Sequence, residues 1–173
     1  MKITRILAIR HGETAWNVDT RIQGQIDIPL NDHGRWQAQQ LAKALADEGV
    51  ECEIVDLRTL SPIDWPKISD SISKTKRLLA LDSGAQTGSI AGEIIARAAM
   101  EHHDEMLIAP RRLAMPDVPE PTSFGLTRGF YVRSSNIFQE VMNMLGKTPK
   151  SGVNPLVEPT PHDVPGNWFK GPF

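Results

Sequence analysis

Apolar and polar positions follow each other along this chain as short runs separated by wider, helix-like stripes. Ile3 to Ile9 is a short apolar run and predicts a buried strand. Residues 10 to 30 show no helical period. Gly12, Gly24 and Pro29 mark them as a long connection, and long connections in a compact domain commonly carry function. Asn31 or Asp32 can cap a helix that runs to about Glu48, with Trp36, Leu41, Ala42 and Leu45 as its apolar stripe and Gly49 as its stop. Glu51 to Leu57 alternates and predicts a second strand. Ser61-Pro62 and Asp64 open a helix whose inner face holds Ile68 and Ile72. Arg77 to Asp82 reads as a third strand, and Ser83 to Ser89 as a turn containing glycine. Ile90 to about His103 reads as a helix with Ile90, Ile94, Ile95 and Ala98 inward. Arg111 to Met115 is a fourth strand, and Pro116 to Pro121 a proline-rich connection. Ser134 or Ser135 caps a last helix carrying Ile137, Val141, Met144 and Leu145, which Gly146 ends.

Strands that alternate with helices predict an α/β fold: a mostly parallel, doubly wound sheet with helices on both faces, followed by an irregular Pro/Gly-rich tail. In this reading residues 1–49 form a strand–loop–helix segment, and residues 50–146 an α/β domain that shares one core with it. Residues 147–173 are the tail. The 173 residues, 40% hydrophobic and 23% charged, have the composition of a soluble globular protein with a substantial core. A formal net charge of -2 gives no case for nucleic acid or an anionic membrane. No apolar run is long enough to span a bilayer, and the first ten residues lack the features of a signal peptide, so the expected location is cytoplasmic. Cys52 is the single cysteine, so no internal disulfide can form. Its alternating segment predicts a buried, inert thiol.

The long connection opens with Arg10-His11-Gly12-Glu13-Thr14, directly after the first strand. Trp16-Asn17, Arg21, Gln23-Gly24, Asp27, Pro29-Leu30-Asn31 and Gly34 follow in order. A histidine at the carboxyl end of a parallel strand lies where open α/β sheets bind ligands. A neutral imidazole nitrogen can attack a phosphoryl group and hold it covalently. The guanidinium of Arg10 offers a fork of donors to phosphate oxygens, and Gly12 allows close backbone approach. The string resembles the histidine phosphatase family, which includes the cofactor-dependent phosphoglycerate mutases. The resemblance implies His11 as a phosphohistidine nucleophile, Arg10 as a phosphate ligand, and Asn17, Arg21 and Gly24 around the phosphate. It also implies a second arginine, a carboxylic acid and a second histidine later in the chain. No later strand is followed by the histidine and small residues of that pattern; His102-His103 end a helix and His162 lies in the tail.

From Glu48 a second signature begins. Gly49-Val50-Glu51-Cys52-Glu53-Ile54-Val55-Asp56-Leu57-Arg58-Thr59-Leu60-Ser61-Pro62-Ile63-Asp64 resembles the transketolase-like carboxy-terminal domain of the β subunit of 2-oxo acid dehydrogenases. Lys74-Thr75, Arg77-Leu78-Leu79, Asp82, Thr87-Gly88, Glu93-Ile94, Arg111-Arg112, Pro116-Asp117-Val118-Pro119, Pro121-Thr122-Ser123 and Gly171-Pro172-Phe173 continue it. Lys76, Ser83 and residues 89–92 depart from it. The resemblance implies a domain that assembles the dehydrogenase of pyruvate, branched-chain or acetoin type. Its partners would be the α subunit and the acyltransferase core, or a second copy as a homodimer. Thiamine diphosphate is implied in the parent complex, not on this chain alone, because its glutamate belongs to a part of the β subunit that this sequence does not resemble.

Residue chemistry in the second half points to structure. Asp56 and Asp64 flank a turn and can cap the following helix. Thr87-Gly88-Ser89 could hold an anion through backbone donors, with capping as the plainer role. His102-His103 with Asp104 and Glu105 could suggest a metal site, but adjacent histidines point in different directions on a helix, which favours a solvated helix end; no metal is expected. Arg111 and Arg112 read as a surface pair at a strand end. Neither family's active site is complete in the sequence. The expected function is subunit interaction in a dehydrogenase assembly. The alternative is phosphoryl transfer through His11, with a phosphorylated small molecule as substrate.

Overall fold

The computed structural model describes residues 4–8, 32–57, 60–123, 126–127 and 129–156. Among the described residues four strands alternate with four helices: β1 (Thr4–Ala8), α1 (Asp32–Asp47), β2 (Val50–Ile54), α2 (Trp65–Thr75), β3 (Leu79–Ala85), α3 (Ile90–Glu101), β4 (Arg111–Met115) and α4 (Ser134–Leu145). The fold is α/β, as the sequence predicts. β1 pairs with β2 in parallel, from Thr4 opposite Val50 to Ala8 opposite Ile54. The expected neighbourhood of the first two strands is therefore present. β3 and β4 form a second parallel ladder, and β1 lies beside β3. Among the described residues the expected single sheet is thus two two-stranded ladders set side by side, in the order β2, β1, β3, β4.

The chain steps from β1 out to β2, returns across β1 to β3, and continues to β4. Parallel crossovers share one hand, so reversing the direction of travel moves the connecting helix to the opposite face. The core follows this rule. One apolar cluster joins Leu45 of α1 and Val50 of β2 to Leu79 and Leu81 of β3 and to Phe138, Val141, Met142 and Met144 of α4. The other joins Val55, Leu78, Ile68 and Ile72 of α2, and Ile94 and Ala98 of α3. Leu78 and Leu79 belong to different clusters because successive strand residues point to opposite faces. Helices therefore cover both faces.

Local chemistry fixes the helix ends. The Lys67 backbone N–H donates to Asp64 Oδ1 at 3.2 Å, and Pro66 occupies the first turn, where its missing donor costs nothing. Gly146, with φ of 60°, ends α4 in the left-handed conformation that glycine adopts without penalty. The start of the tail folds back. The Lys150 backbone N–H donates to the Glu48 carboxylate, and Asn154 Nδ2 donates to the Ser135 carbonyl at 2.8 Å. Leu156 joins the first cluster.

Four expectations are corrected. Trp36 is 54% exposed and Ala42 is exposed; the inward stripe of α1 is Leu41, Ala44 and Leu45. Cys52 is exposed rather than buried, because β2 lies at the end of the order β2, β1, β3, β4 and Val50 is its one buried residue. β3 runs on through Ser83 and Gly84 to Ala85, where a turn was expected; Asp82 Oδ1 accepts from the Gly84 N–H at 2.8 Å and carries the strand across an irregularity in the ladder. His102 is not a solvated helix end, as described below.

Candidate functional site

Between β1 and β3 the direction of strand addition reverses, and open α/β sheets place ligands outside the carboxyl ends of strands at such a point. His11, Arg10, Asn17, Arg21 and Gly24, the phosphate-site residues expected from the sequence, all lie outside the described residues. So do His162 and the aromatic residues Trp168, Phe169 and Phe173.

What the structure does show at this edge is the turn between β3 and α3. Thr87 donates its backbone N–H at 2.8 Å and its hydroxyl at 2.7 Å to the two oxygens of Asp117, which follows β4. These bonds, the backbone one first, hold the Asp117 carboxyl below the usual carboxylate range, with the Arg112 charge adding to them. Asp82 Oδ2 accepts from the Ala91 N–H at 3.2 Å, and Ser89 Oγ accepts from the Gly92 N–H at 3.3 Å. The first turn of α3 is thus capped by the protein's own oxygens, so the Thr87-Gly88-Ser89 segment caps a helix rather than cradling an anion. Gly92 gives the Arg112 guanidinium room: a methyl group there would stand 2.9 Å from Arg112 Nη1. The pairing of Thr87 with Asp117 is invisible in sequence, since the partners lie 30 residues apart.

The second polar centre is at the far end of α3. His102 Nε2 lies 3.0 Å from Ser69 Oγ of α2, and Nδ1 lies 3.1 Å from Glu105 Oε1. Lys76 Nζ donates to Glu105 Oε2 at 3.1 Å. Hydrogen bonds from Ser73 first, then Lys76 and His102, hold the Glu105 carboxyl down to about 2. The sequence singles out Glu105 only beside Asp104, as a metal-ligand candidate with His102-His103, and gives no sign of Ser69. The available signal was the three-residue spacing from His102 to Glu105. Elsewhere Lys74 Nζ meets Glu53 Oε2 at 2.5 Å and lowers that carboxyl, beside exposed Cys52. Arg111 pairs with Glu140 at 3.8 Å. Among the described residues no three His, Cys, Asp or Glu side chains are grouped to hold a metal, and no helix is long and apolar enough to cross a membrane.

Comparison with known proteins returns both resemblances. The family described as "Transketolase, C-terminal domain" matches residues 35–137, and the "Histidine phosphatase superfamily (branch 1)" matches residues 6–58. The two matches overlap on residues 35–58, which span most of α1 and all of β2. The pyruvate dehydrogenase E1 component subunit beta of Cyanidium caldarium is 33% identical over 121 residues, covering 69% of this chain and 37% of the relative. The mitochondrial subunit of the same name from Dictyostelium discoideum is 37% identical over 99 residues, covering 57% of this chain and 28% of the relative. The acetoin:2,6-dichlorophenolindophenol oxidoreductase subunit beta of Cupriavidus necator is 37% identical over 87 residues, covering 50% and 26%. The chain thus spans about a third of the length of these curated relatives. A solved structure titled "Split gene transketolase, inactive beta4 tetramer" shares the fold with a TM-score of 0.54 at 18% identity, covering 84% of this chain and 39% of the other. With more than half its length matched and a parallel α/β core carrying that match, the chain belongs to the transketolase carboxy-terminal domain family.

Proposed function

We propose that this chain is a subunit-interaction module related to the β subunit of a thiamine-diphosphate-dependent 2-oxo acid dehydrogenase of pyruvate, branched-chain or acetoin type, and that it does no catalysis alone. The observation that carries this reading is the family match over residues 35–137, joined to relatives whose names are all β subunits. The edge chemistry supports it. The α3 N-terminus, where the sequence offers backbone donors to an anion, does not fit a diphosphate. Thr87, Ala91 and Gly92 already donate to Asp117, Asp82 and Ser89. Exposed Val118, Leu126 and Tyr131 after β4 give the module apolar surface for a partner. The partners proposed are the dehydrogenase α subunit, the acyltransferase core, or a second copy, in the cytoplasm. Size-exclusion chromatography of the full chain mixed with an α subunit and with an acyltransferase peripheral domain tests this. Co-elution with either is expected, and elution apart from both overturns the reading.

The match of residues 6–58 to histidine phosphatases favours a second reading, phosphoryl transfer through a phosphohistidine at His11 with Arg10, Asn17, Arg21 and Gly24 around the phosphate. Acid-labile phosphate on the chain after incubation with a labelled phosphodonor, absent in His11→Ala, supports it. Labelling that is unchanged in His11→Ala defeats it.

A further inference from the structure

Two positive charges at the end of α2 are matched and a third is not. Lys74 Nζ meets Glu53 Oε2 at 2.5 Å, and Lys76 Nζ meets Glu105 Oε2 at 3.1 Å. Arg97 and Arg111 likewise pair with Glu101 and Glu140. Arg77, between Lys76 and β3, has no ion-pair partner among the described residues. Its Nε is shut off from solvent and donates to no acceptor there. Water satisfies an unpaired cation on an open surface. It does not reach a shielded guanidinium donor, and a shielded donor without an acceptor is a standing cost to the fold.

The backbone that carries this guanidinium is held on both sides. The Lys76 carbonyl accepts from the Leu107 N–H at 3.0 Å, and the Leu78 carbonyl accepts from the Arg111 N–H at 2.9 Å. The Arg77 carbonyl itself accepts the Thr75 hydroxyl at 3.1 Å. Lys76 has a φ of 61° and is the one residue other than glycine in the left-handed region among the described residues. That conformation is strained for a lysine, and it is held by the bonds of its carbonyl and its ammonium. Arg77 therefore starts from a fixed root, so an acceptor that binds it pays little for ordering the side chain. Leu107, tied to Lys76 through its N–H, is 62% exposed. An unmet arginine donor beside an exposed apolar side chain fits a protein segment that brings both a carboxylate and an apolar residue.

We propose that Arg77 receives an aspartate or glutamate side chain of a docking partner, with an apolar side chain of the same segment resting on Leu107. Nε and one Nη of the guanidinium donate to the two carboxylate oxygens, the fork geometry that arginine offers and lysine does not. The site lies at the amino end of β3, on the edge of the sheet opposite to Val118, Leu126 and Tyr131, which follow the carboxyl end of β4. It is thus a second contact surface, and it stands whether or not a dehydrogenase α subunit binds the other one.

The test follows the arginine Nε–H resonances of the full chain by NMR, assigned in the wild-type protein, so that the readout does not depend on a variant that folds. The probes are amidated N-acetyl-leucyl-glutamate, its glutamine analogue, and acetate, all at one ionic strength. The Arg77 resonance is expected to move along a saturating curve with the glutamate dipeptide and to stay in place with the glutamine analogue. The dipeptide should bind about fivefold tighter than acetate through its leucine, and Leu107→Ala should remove that difference. Arg77→Met should abolish the binding while β3 keeps its exchange protection. An Arg77 resonance that moves no further than those of exposed arginines overturns the proposal. So does a cross-peak from Arg77 Nε–H to a bound water that the dipeptide does not displace, because water then satisfies the donor. Equal affinity for acetate and the dipeptide makes this a small-anion site and overturns the docking partner.

Discussion

Phe138→Ala tests whether the segment matched to histidine phosphatases and the rest of the chain share one core. Phe138 is 0% exposed on α4, in the cluster that holds Leu45 of α1, Val50 of β2 and Leu79 and Leu81 of β3. Leu45 and Val50 fall in the stretch where both family matches overlap. Removing the ring forfeits its burial and leaves a cavity that α1 and α4 can only partly close, which costs about 3–5 kcal/mol. Domains of this size lose roughly 2–4 °C per kcal/mol, so the melting temperature should fall by roughly 6–20 °C. Such a loss is a large share of a typical stability of about 5–15 kcal/mol. The assay is hydrogen exchange with calorimetry. If the core is shared, backbone amides of β2 (Val50–Ile54) and of β3 (Leu79–Ala85) lose protection together, because Val50 and Leu79 rest on the same ring cluster. Loss of protection confined to β3, β4 and α4, with β2 unchanged, would refute the shared core and divide the chain into two units.

Other substitutions separate backbone from side-chain effects. Gly146→Ala places a side chain at φ of 60° and should destabilise by about 1–2 kcal/mol in denaturant melts. Gly92→Ala meets only the flexible end of Arg112 and gains helix propensity, so it should stay within about 1 kcal/mol of wild type. Asp117→Ala should speed exchange of the Thr87 amide while leaving β3 protected, since Asp117 accepts from that amide and not from the strand. Glu105 has a folded-state value of about 2 against an ordinary 4.5, so its stabilisation is complete above the ordinary value and is lost as pH falls toward 2. Melting temperatures measured from pH 6 to pH 2 should drop less steeply in Glu105→Gln than in wild type.

Periodicity located the described helices because each buries a single stripe, and β3 because its continuous apolar run is buried on both faces. Ile68 and Ile72, four residues apart, face one cluster as their spacing requires, and Asp64 caps their helix as its position before Trp65 suggests. Alternation carries no information about which strand lies at an edge, so Cys52 read as buried although β2 ends the four-strand order. Ser83-Gly84 has turn chemistry, and the Asp82 carboxylate on the Gly84 amide, with the pairing of Ala85 opposite Met115, holds the chain extended there. In α1, Leu41 and Leu45 face the core as their spacing requires, whereas Trp36, 54% exposed, and Ala42 do not, and Ala44 joins the stripe instead. The Ser69–His102 contact joins residues 33 apart through helix packing, which no local pattern encodes. The overlap of the two family matches on residues 35–58 has a simple physical basis. A helix with one apolar stripe followed by a parallel strand meets the same packing rules in either family.

The assembly reading meets its most direct test in sedimentation velocity of the fluorescently labelled full chain against increasing concentrations of a 2-oxo acid dehydrogenase α subunit. If the chain is a subunit-interaction module, its sedimentation coefficient rises with added α subunit and saturates. A coefficient that stays constant across the titration, in a chain whose β2 and β3 amides are protected from exchange, contradicts the account.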